Sequence, residues 1–531
     1  MEWLTKQYRR IKKVPETNEQ TVENDGLETD IEYRERWMSI RVIYFTMFLM
    51  SLAFSIILTG VWPYLDKLDK SAGKQFMGYI VGANPLGQML FSPLFGWWSN
   101  RLGSIRLPLL VSLALFIIAS GIYSTLEMFE SYRKYWMLYA RFLVGVSSAN
   151  IAVCRSYLSA ATRNTERTYA VSIISLAQVL GFIVGPGLQA AVVPLGDEGV
   201  DLIPGQLKLN MYTAAGWINV ILGFVNFCLY LPMFFKEHKI AAREAMLKQG
   251  AESEKAAWKA LKPDYFSAWT LIITFFVLVF NFMLLETLGT LLTMDQFAWT
   301  KAEALYYMGI MMSIGAVMAC FTFVLISPLC KLFPERKVMI WGGIFFMCLG
   351  RLVHIPWGDG PIQIYDDTLI IDNNSTTPIN GTELLGCPAS QEWCAYTPKQ
   401  TIFQFLLGYF LTTMGYPIGV TLVQTIFSKV LGPRPQGVWM GLMTGSGCFS
   451  RVMGPVFVSY IYTMYGTIWT FGITLAMMIG CQIWLIIFER RLIPVEDSAE
   501  KRQNFEKGTE LQEMNHLHNA SVEFHEEDVE T

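Results

Sequence analysis

The sequence predicts an all-α polytopic membrane protein that is built from twelve spans in two six-helix halves. Its composition gives the first indication, since 53% of the 531 residues are hydrophobic and only 16% are charged. The mean hydropathy is +0.35, which is far too apolar for a soluble protein of this size. The other two indications are the number of long apolar runs and a repeat that relates the two halves.

Apolar runs of spanning length, roughly 20 residues each, follow a charged N-terminal segment that lacks a cleavable apolar stretch. The runs are 41–63, 76–99, 107–126, 135–158, 168–193, 211–235, 266–292, 303–328, 338–356, 400–424, 437–464 and 467–488. The expected domains are a cytosolic tail at 1–40, a first half at 41–235, a cytosolic connector at 236–265, a second half at 266–488 and a disordered cytosolic tail at 489–531.

Basic residues predict the orientation, because cytosolic loops carry an excess of lysine and arginine. The loops after spans two, four and ten hold Arg101 and Arg106, Arg163 and Arg167, and Lys429 with Arg434. The long loop 357–399, which follows span nine, is acidic. Both termini are therefore expected in the cytosol, and this loop is expected on the opposite, lumenal side.

The two halves repeat one another. Ser92-Pro93-Leu94 returns as Ser327-Pro328-Leu329 at an offset of 235, Gly145 returns as Gly415 at 270, and Gly185-Pro186 returns as Gly454-Pro455 at 269. The offset grows by 35 (270 − 235), and the loop between the third and fourth spans of each half lengthens from 8 to 43 residues, which is also 35. A six-plus-six duplication explains both, with parallel halves related about the membrane normal and a substrate path at their interface.

Spans four and five carry groups that lipid tolerates badly. Arg141, Asn150 and Arg155 lie in span four and Gln178 lies in span five. Such groups normally face a bundle interior or a watery cavity, so these two helices are expected to line a solvated path. Arg141 is a candidate for substrate binding or proton movement, with a fixed ion pair as the alternative. Arg155, near the cytosolic end, is expected to reach water through its long stem and to be structural.

Three motifs give this chain a family resemblance. Gly96-x-x-x-Asn100-Arg101-x-Gly103-x-x-Arg106 resembles the loop signature of the major facilitator superfamily, while Arg141-x-x-x-Gly145 and Gly181-x-x-x-Gly185-Pro186 resemble its fourth- and fifth-span signatures. The resemblance implies the twelve-span major facilitator fold with a pseudo-two-fold axis along the membrane normal. Asn100 stands where an acid is more usual, so the charge relay of this loop is expected to be weaker.

Longer stretches resemble a lysosomal branch of that superfamily. They include Arg36-Trp37-x-Ser39-Ile40-Arg41, Leu292-Thr293-Met294-Asp295 and Leu431-Gly432-Pro433-x-Pro435-Gln436-Gly437. The resemblance implies a late endosomal and lysosomal membrane protein with a role in lysosomal homeostasis, linked to a neuronal ceroid lipofuscinosis, and a chloride conductance proposed for the branch. Tyr8-Arg9-Arg10-Ile11 fits a tyrosine-based sorting signal for adaptor proteins, a pattern that is short and common by chance.

Glu286 is the carboxylate placed inside an apolar run, in the outer half of span seven. A carboxylate there can take up a proton from an acidic compartment and release it toward the cytosol. Arg451, near the middle of span eleven, either holds Glu286 ionised or attracts a permeating anion. The alternative is a static pair of these two residues. Arg351 and His354 of span nine are expected to anchor the membrane interface.

The loop 357–399 carries sequons at Asn373, Asn374 and Asn380, of which the first two overlap so that one is expected to be used. Cys387 and Cys394 in the same loop are a plausible disulfide in an oxidising lumen. Glycines and prolines at Gly181, Gly185, Pro186, Gly454 and Pro455 are expected to act in close packing or as hinges between moving helices.

Several function classes lose support. The net charge is −3, and the chain shows no zinc-type spacing, Walker loop or dinucleotide fingerprint, so no metal, cofactor, nucleic-acid partner or enzymatic activity is expected. Three functions remain open. The first is an alternating-access carrier of a small solute, coupled to protons through Glu286. The second is an anion channel with a positive constriction at Arg141 and Arg451, and the third is a non-transporting scaffold in the lipid bilayer.

Overall fold

A computed structural model of the chain describes residues 27–58, 60–69, 72–203, 207–261, 263–358, 360–365 and 385–496. The sequons at Asn373, Asn374 and Asn380, the sorting signal at residues 8–11 and most of the C-terminal tail lie outside the described residues. Predictions that concern them stay predictions.

The first six spans are helices separated by short turns. Their bounds are Asp30–Leu58, Gly73–Leu102, Arg106–Ser124, the pair Arg133–Ser147 and Asn150–Ala161, Asn164–Val192, and Thr213–Leu229. A short helix, Val61–Leu68, follows span one. Strands Val200–Ile203 and Leu207–Leu209 pair antiparallel between spans five and six.

Spans seven to twelve repeat the pattern. Their helices are Tyr265–Phe297, Lys301–Leu332, Glu335–Lys337 continuing through the π-helix Val338–Ile344 into Phe345–His354, Ile402–Leu431, and Gly437–Phe488, which holds the last two spans. Gly466, with φ of +78°, breaks the last helix into spans eleven and twelve. The connector contains the helices Ile240–Gln249 and Glu254–Ala260, and the long loop contains the parallel strands Ile364–Tyr365 and Cys387–Pro388.

Nine helices within the described residues are long and apolar enough to cross a membrane. The last of them contains two spans because of the break at Gly466. Two further crossings are the shorter apolar helix Thr213–Leu229 and the 30-residue helix Gly73–Leu102. The prediction of twelve spans is confirmed.

Span one begins at Asp30, earlier than its apolar pattern predicts and within the segment 1–40 that was expected to be the N-terminal tail. Arg36 explains the difference. Its guanidinium is fully buried and pairs with Glu28 at 2.8 Å and with Glu166 at the start of span five at 2.9 Å. Two carboxylates satisfy the buried cation, which orders a stretch that looks solvated in sequence.

Span seven is also longer than predicted, since its helix continues from residue 292 to Phe297. Span eight then starts with a capping box, in which Thr300 Oγ1 accepts a hydrogen bond from the Glu303 amide at 3.2 Å and Glu303 Oε2 accepts one from the Thr300 amide at 3.0 Å. The extension brings Asp295 into the helix, where 6% of the residue's surface is exposed. Span seven thus carries two carboxylates, of which Asp295 is buried and Glu286 is exposed.

Helices of the same half pack mainly on one another. Span one lies along span five, span three along span six, span seven along span eleven, and span nine along span ten. The most extensive contacts between the halves are those of span two with span eleven and of span five with span eight, and span four also meets span eleven while span five meets span ten. The interface that these contacts form positions the candidate site.

Candidate functional site

The interface between the halves is tightly closed at one end, which we call the tail end because span one begins and span twelve ends there. Glycines on spans two and eleven face each other: a Cβ atom at Gly96 would stand 2.1 Å from the Gly437 carbonyl oxygen, and one at Gly441 would stand 2.6 Å from that of Ser92. No side chain fits between backbones at these distances. The two helices touch directly through small residues.

Hydrogen bonds reinforce the tail end. Asn100 Oδ1 accepts from the Gly437 amide at 2.9 Å, at the start of span eleven, and Asn100 Nδ2 donates to the Pro435 carbonyl at 3.4 Å. On the other side of the interface, the Thr168 hydroxyl of span five donates to Glu335, which also pairs with Lys429 at 2.7 Å. The charge relay was expected to be weaker because Asn100 is neutral. In the structure, Asn100 instead holds the start of span eleven through hydrogen bonds of both its amide oxygen and its amide nitrogen, an arrangement we call the neutral clamp.

The opposite end, which holds the described parts of the long loop at 360–365 and 385–399, is open. We call it the loop end. The face of span two that meets span eleven continues from Gly96 through Met89 to Gly82 and Gly78 at helical spacing. A Cβ at Gly445 would still approach the Met89 carbonyl at 3.3 Å, but a Cβ at Gly82 or Gly78 would meet no atom of another described element within 4 Å. The two halves therefore separate toward the loop end and leave a cavity between them.

Two arginines from different halves lie in this cavity. Arg155 of span four donates through Nη2 to Gln178 Oε1 of span five at 3.1 Å, while its Nε is buried without a hydrogen-bond partner among the described residues. Arg451 of span eleven has an exposed side chain, and its charge opposes that of Arg155. Like charges are held near each other here across the interface between the halves.

Glu286 faces the same cavity from span seven. Its side chain is exposed to solvent and its charge attracts Arg451. The described ion pairs of the second half are those of Glu335, Glu489 and Asp264, so none joins Glu286 to Arg451. Tyr416 of span ten, which stacks on Phe282 at 4.0 Å, lies within the field of all three charged groups. Two cations and one carboxylate leave the cluster with one net positive charge.

Arg141 is not part of this cluster. Its side chain is fully buried, and none of its three guanidinium nitrogens has a hydrogen-bond partner among the described residues. Its Cζ lies 5.4 Å from the centre of the Phe54 ring, and Tyr123 lies nearby. From the sequence, Arg141 was expected to lie in one cavity with Arg451. The structure does not bring Arg141 there, and Arg155 takes that position instead. The structural role predicted for Arg155 stays a prediction, and its hydrogen bond to Gln178 of the same half is compatible with it.

Arg351 and His354 do not anchor an interface with water. Both side chains are fully buried in the second half. Arg351 Nη2 donates to the Asn281 carbonyl of span seven, and the His354 ring lies 5.0 Å from that of Phe471, nearly parallel to it. The expectation of a peripheral position for both is wrong.

The signature glycines of span five and their repeat in span eleven pack inside their own halves. A Cβ at Gly185 would stand 1.9 Å from Ser55 Oγ of span one, whereas one at Gly454 would stand 3.3 Å from Met283 Cβ of span seven. Pro186 and Pro455 lie inside their helices. The two glycines occupy equivalent positions in the repeat, but the packing around Gly185 is tighter than that around Gly454. A hinge role for these residues stays a prediction.

The remaining signature residues lie at the tail end. Gly103 ends span two in the left-handed conformation, with φ of +66°. Arg101 covers the Trp97 ring at 5.4 Å, and Arg106 donates to the Phe235 carbonyl. Among the described residues, no group of histidine, cysteine or acidic side chains is arranged to hold a metal ion.

Comparisons with known proteins agree with this architecture. The family model "Major Facilitator Superfamily" matches residues 43–371 and 383–522. The chain is 40% identical over 489 residues to major facilitator superfamily domain-containing protein 8 of Xenopus laevis, which covers 90% of this chain and 95% of that protein.

Solved structures show the same fold at lower identity. The human organic anion transporter MFSD10 superposes with a TM-score of 0.58 at 17% identity, covering 85% of this chain and 99% of that one. The proton:xylose symporter XylE superposes with a TM-score of 0.61 at 13% identity, covering 87% and 98%.

Proposed function

The chain belongs to the major facilitator superfamily, and from this premise we propose that it is a carrier that moves a small anionic solute by alternating access, coupled to protons through Glu286. The observation that carries the proposal is the cluster of Arg155, Arg451 and Glu286 in a cavity that is closed at the tail end and open at the loop end. A secondary carrier binds its substrate at the interface of its halves. An uncompensated guanidinium in such a cavity requires an anion.

Protons couple to the anion through Arg451. While Glu286 is ionised, it attracts Arg451 and competes with an incoming anion. Protonation removes that competition, so proton binding and anion binding favour each other by the same factor. An acidic compartment at the open end thus loads both, and a neutral compartment at the other end releases both. The carrier is a symporter in this scheme, with transport directed from the acidic side to the neutral side.

The proposed location is the membrane of lysosomes and late endosomes, with both termini in the cytosol. The resemblance to a lysosomal branch supports the location, and the acidic loop with its sequons supports the orientation. The cysteines of this loop form a disulfide, Cys387–Cys394, which suits an oxidising lumen. Glycans at Asn380 and at one of Asn373 or Asn374 belong to the same proposal, as does an adaptor contact at residues 8–11.

A second candidate function is a chloride conductance. It is favoured by the excess positive charge of Arg155 and Arg451, since a ring or pair of cations is what selects anions in a pore. In this scheme the negative charge of Glu286 lowers the chloride conductance, and Glu286 does not couple transport to protons. A non-transporting scaffold is the third candidate, and it requires neither charge.

Flux through liposomes that hold the purified full-length chain tests the three candidates. The assay offers chloride, a pH gradient and a panel of small carboxylates and phosphates. The carrier predicts saturable, solute-specific counterflow that depends on the pH gradient. Electrogenic chloride current without counterflow would replace the carrier by the channel, and absence of both would leave the scaffold.

A further inference from the structure

A second cavity lies at the loop end of the second half, away from the charged cluster. Its volume is about 180 Å³, and it is lined by the ends of spans seven and eleven and by the disulfide-closed part of the long loop. Asp295 and Glu286 are nine residues apart on span seven, which is two and a half helical turns or about 14 Å. Their side chains therefore leave the helix on opposite sides, and this cavity is a separate site.

Asp295 is the charged group of this cavity. The residue is 6% exposed, and its Oδ2 accepts a hydrogen bond from the Tyr462 hydroxyl at 2.8 Å. The described ion pairs of the second half all lie at the tail end, so no described lysine or arginine neutralises it. A buried carboxylate without a cation costs several kcal/mol. Among the side chains that the structure describes, the site therefore holds a carboxylate and no cation.

Aromatic rings surround this carboxylate. Trp299, Tyr365 and Tyr462 line the cavity together with the polar side chains of Gln391, Ser459 and Thr463. Aromatic faces attract cations, and groups of aromatic rings recognise organic ammonium ions in particular. A single carboxylate does not supply the six to eight oxygen ligands that calcium takes. The lining thus matches an organic cation better than a metal ion.

The cap of the cavity is held firmly in place. Trp393, which lies inside the disulfide, has 1% of its surface exposed and packs against Tyr462 with ring centres 5.2 Å apart. A Cβ at Gly466 would stand 2.4 Å from the Trp393 ring, so the break between spans eleven and twelve accommodates this side chain. The same Tyr462 that touches Trp393 orients Asp295. The loop and the carboxylate therefore form one preorganised site.

We propose that this cavity binds a small organic ammonium ion, held by the Asp295 carboxylate and the rings of Trp299, Tyr365 and Tyr462. The volume suits such a ligand, because an engineered cavity of about 150 Å³ holds benzene. The site is independent of the anion proposed for the central cavity, since it shares no residue with that cluster.

Choline and its neutral isostere 3,3-dimethylbutan-1-ol provide matched probes. Isothermal titration of the purified full-length protein in detergent, at constant ionic strength with sodium chloride, should give saturable choline binding and at least tenfold weaker binding of the alcohol. Asp295→Asn should weaken choline binding at least tenfold, whereas Arg155→Gln should leave it unchanged. Equal affinity for the two probes, or unchanged choline affinity in Asp295→Asn, would overturn the proposal.

Trp299→Leu covers the case in which Asp295→Asn does not fold. It removes one aromatic face and keeps the carboxylate, so choline affinity should fall at least threefold while sodium chloride dependence stays unchanged. Choline affinity equal to that of the native protein would contradict the aromatic contribution. Anion flux in liposomes is measured separately on the same preparations, so loss of flux in Arg155→Gln with intact choline binding keeps the two proposals apart.

Discussion

The two ends of the interface between spans two and eleven differ in what separates the helices. At the tail end, Gly96, Gly437 and Gly441 let backbones meet, and Asn100 clamps the start of span eleven with both ends of its amide. At the loop end, on the same face of span two, a Cβ at Gly82 or Gly78 would meet no atom of another described element within 4 Å. Between spans two and eleven, closure thus depends on small residues and the neutral clamp. Elsewhere at the tail end, charged groups contribute through the hydrogen bonds of Arg167 to the Ser428 carbonyl and of Thr168 to Glu335, which also pairs with Lys429.

The largest expected effect comes from filling the closed end. Gly441→Leu places a side chain where even a Cβ would stand 2.6 Å from the Ser92 carbonyl. The tail end cannot close around that side chain, so the flux of any transported solute should fall at least tenfold, equivalent to about 1.4 kcal/mol. Flux at matched reconstitution measures the loss. Gly480→Leu is the control, because Gly480 of span twelve has open space around it, and comparable losses in both variants would contradict the account.

Contacts within a half should respond differently from contacts between halves. Gly185→Ala meets Ser55 Oγ at 1.9 Å and the Ile56 amide at 2.8 Å, whereas Gly454→Ala meets Met283 Cβ at 3.3 Å. Overpacking of this kind costs about 1–3 kcal/mol, so Gly185→Ala should lower the melting temperature clearly and Gly454→Ala only slightly. Thermal melts in detergent measure both. Equal melting temperatures of Gly185→Ala and Gly454→Ala would contradict this expectation and would mean that span one moves to accommodate the added methyl group at little cost.

Removing the neutral clamp should have a moderate effect. Asn100→Ala deletes two hydrogen bonds across the tail end, each worth about 0.5–1.5 kcal/mol. The closed tail end should then open more often, which faster hydrogen exchange of the amides of residues 437–440 would report. Arg101→Gln is the control, since the described contact of Arg101 is with Trp97 on its own helix. Unchanged exchange in Asn100→Ala would show that glycine packing alone holds this end.

The smallest effect is expected at the ion pair. Lys429 and Glu335 are partly exposed, and such a pair contributes at most about 1 kcal/mol. Lys429→Gln should therefore change flux by less than about fivefold, and the difference from the native chain should shrink as salt is added. If Lys429→Gln lowered the flux more than Asn100→Ala does, and if added salt did not change that loss, the ion pair rather than the Asn100 amide would be the main interaction that closes the tail end.

The sequence predicts the spans well because burial in lipid leaves long apolar runs, and the repeat places the matching glycines. It does not predict the face on which a charged residue lies when its helix is apolar all round. Arg155 and Arg141 both stand in span four, yet the first lies in the cavity and the second is enclosed near Phe54 and Tyr123. The polar residues in spans four and five were the available signal, since Gln178 is the partner of Arg155.

Long-range pairing is the second limit. Arg36 looks like part of a solvated tail until Glu166, 130 residues away, is brought beside it. Asp295 looks like a loop residue because hydropathy falls before span seven ends, although the helix continues to Phe297. The closed contact of Asn100 with Gly437 likewise joins two halves that local pattern treats separately. Each of these features depends on a partner that lies more than 100 residues away in the sequence, so a local sequence pattern does not reveal it.

The central claim is that Glu286, Arg451 and Arg155 share one solvated cavity that couples protons to an anion. Glu286→Gln in proteoliposomes tests it most directly, with flux measured at equal and unequal pH on the two sides and Arg451→Gln as the companion variant. The account predicts that solute flux loses its dependence on the pH gradient while the folded protein stays intact. If the cavity conducts chloride instead, Glu286→Gln raises the current and Arg451→Gln lowers it. A Glu286→Gln protein with native pH dependence and native chloride current would contradict both schemes.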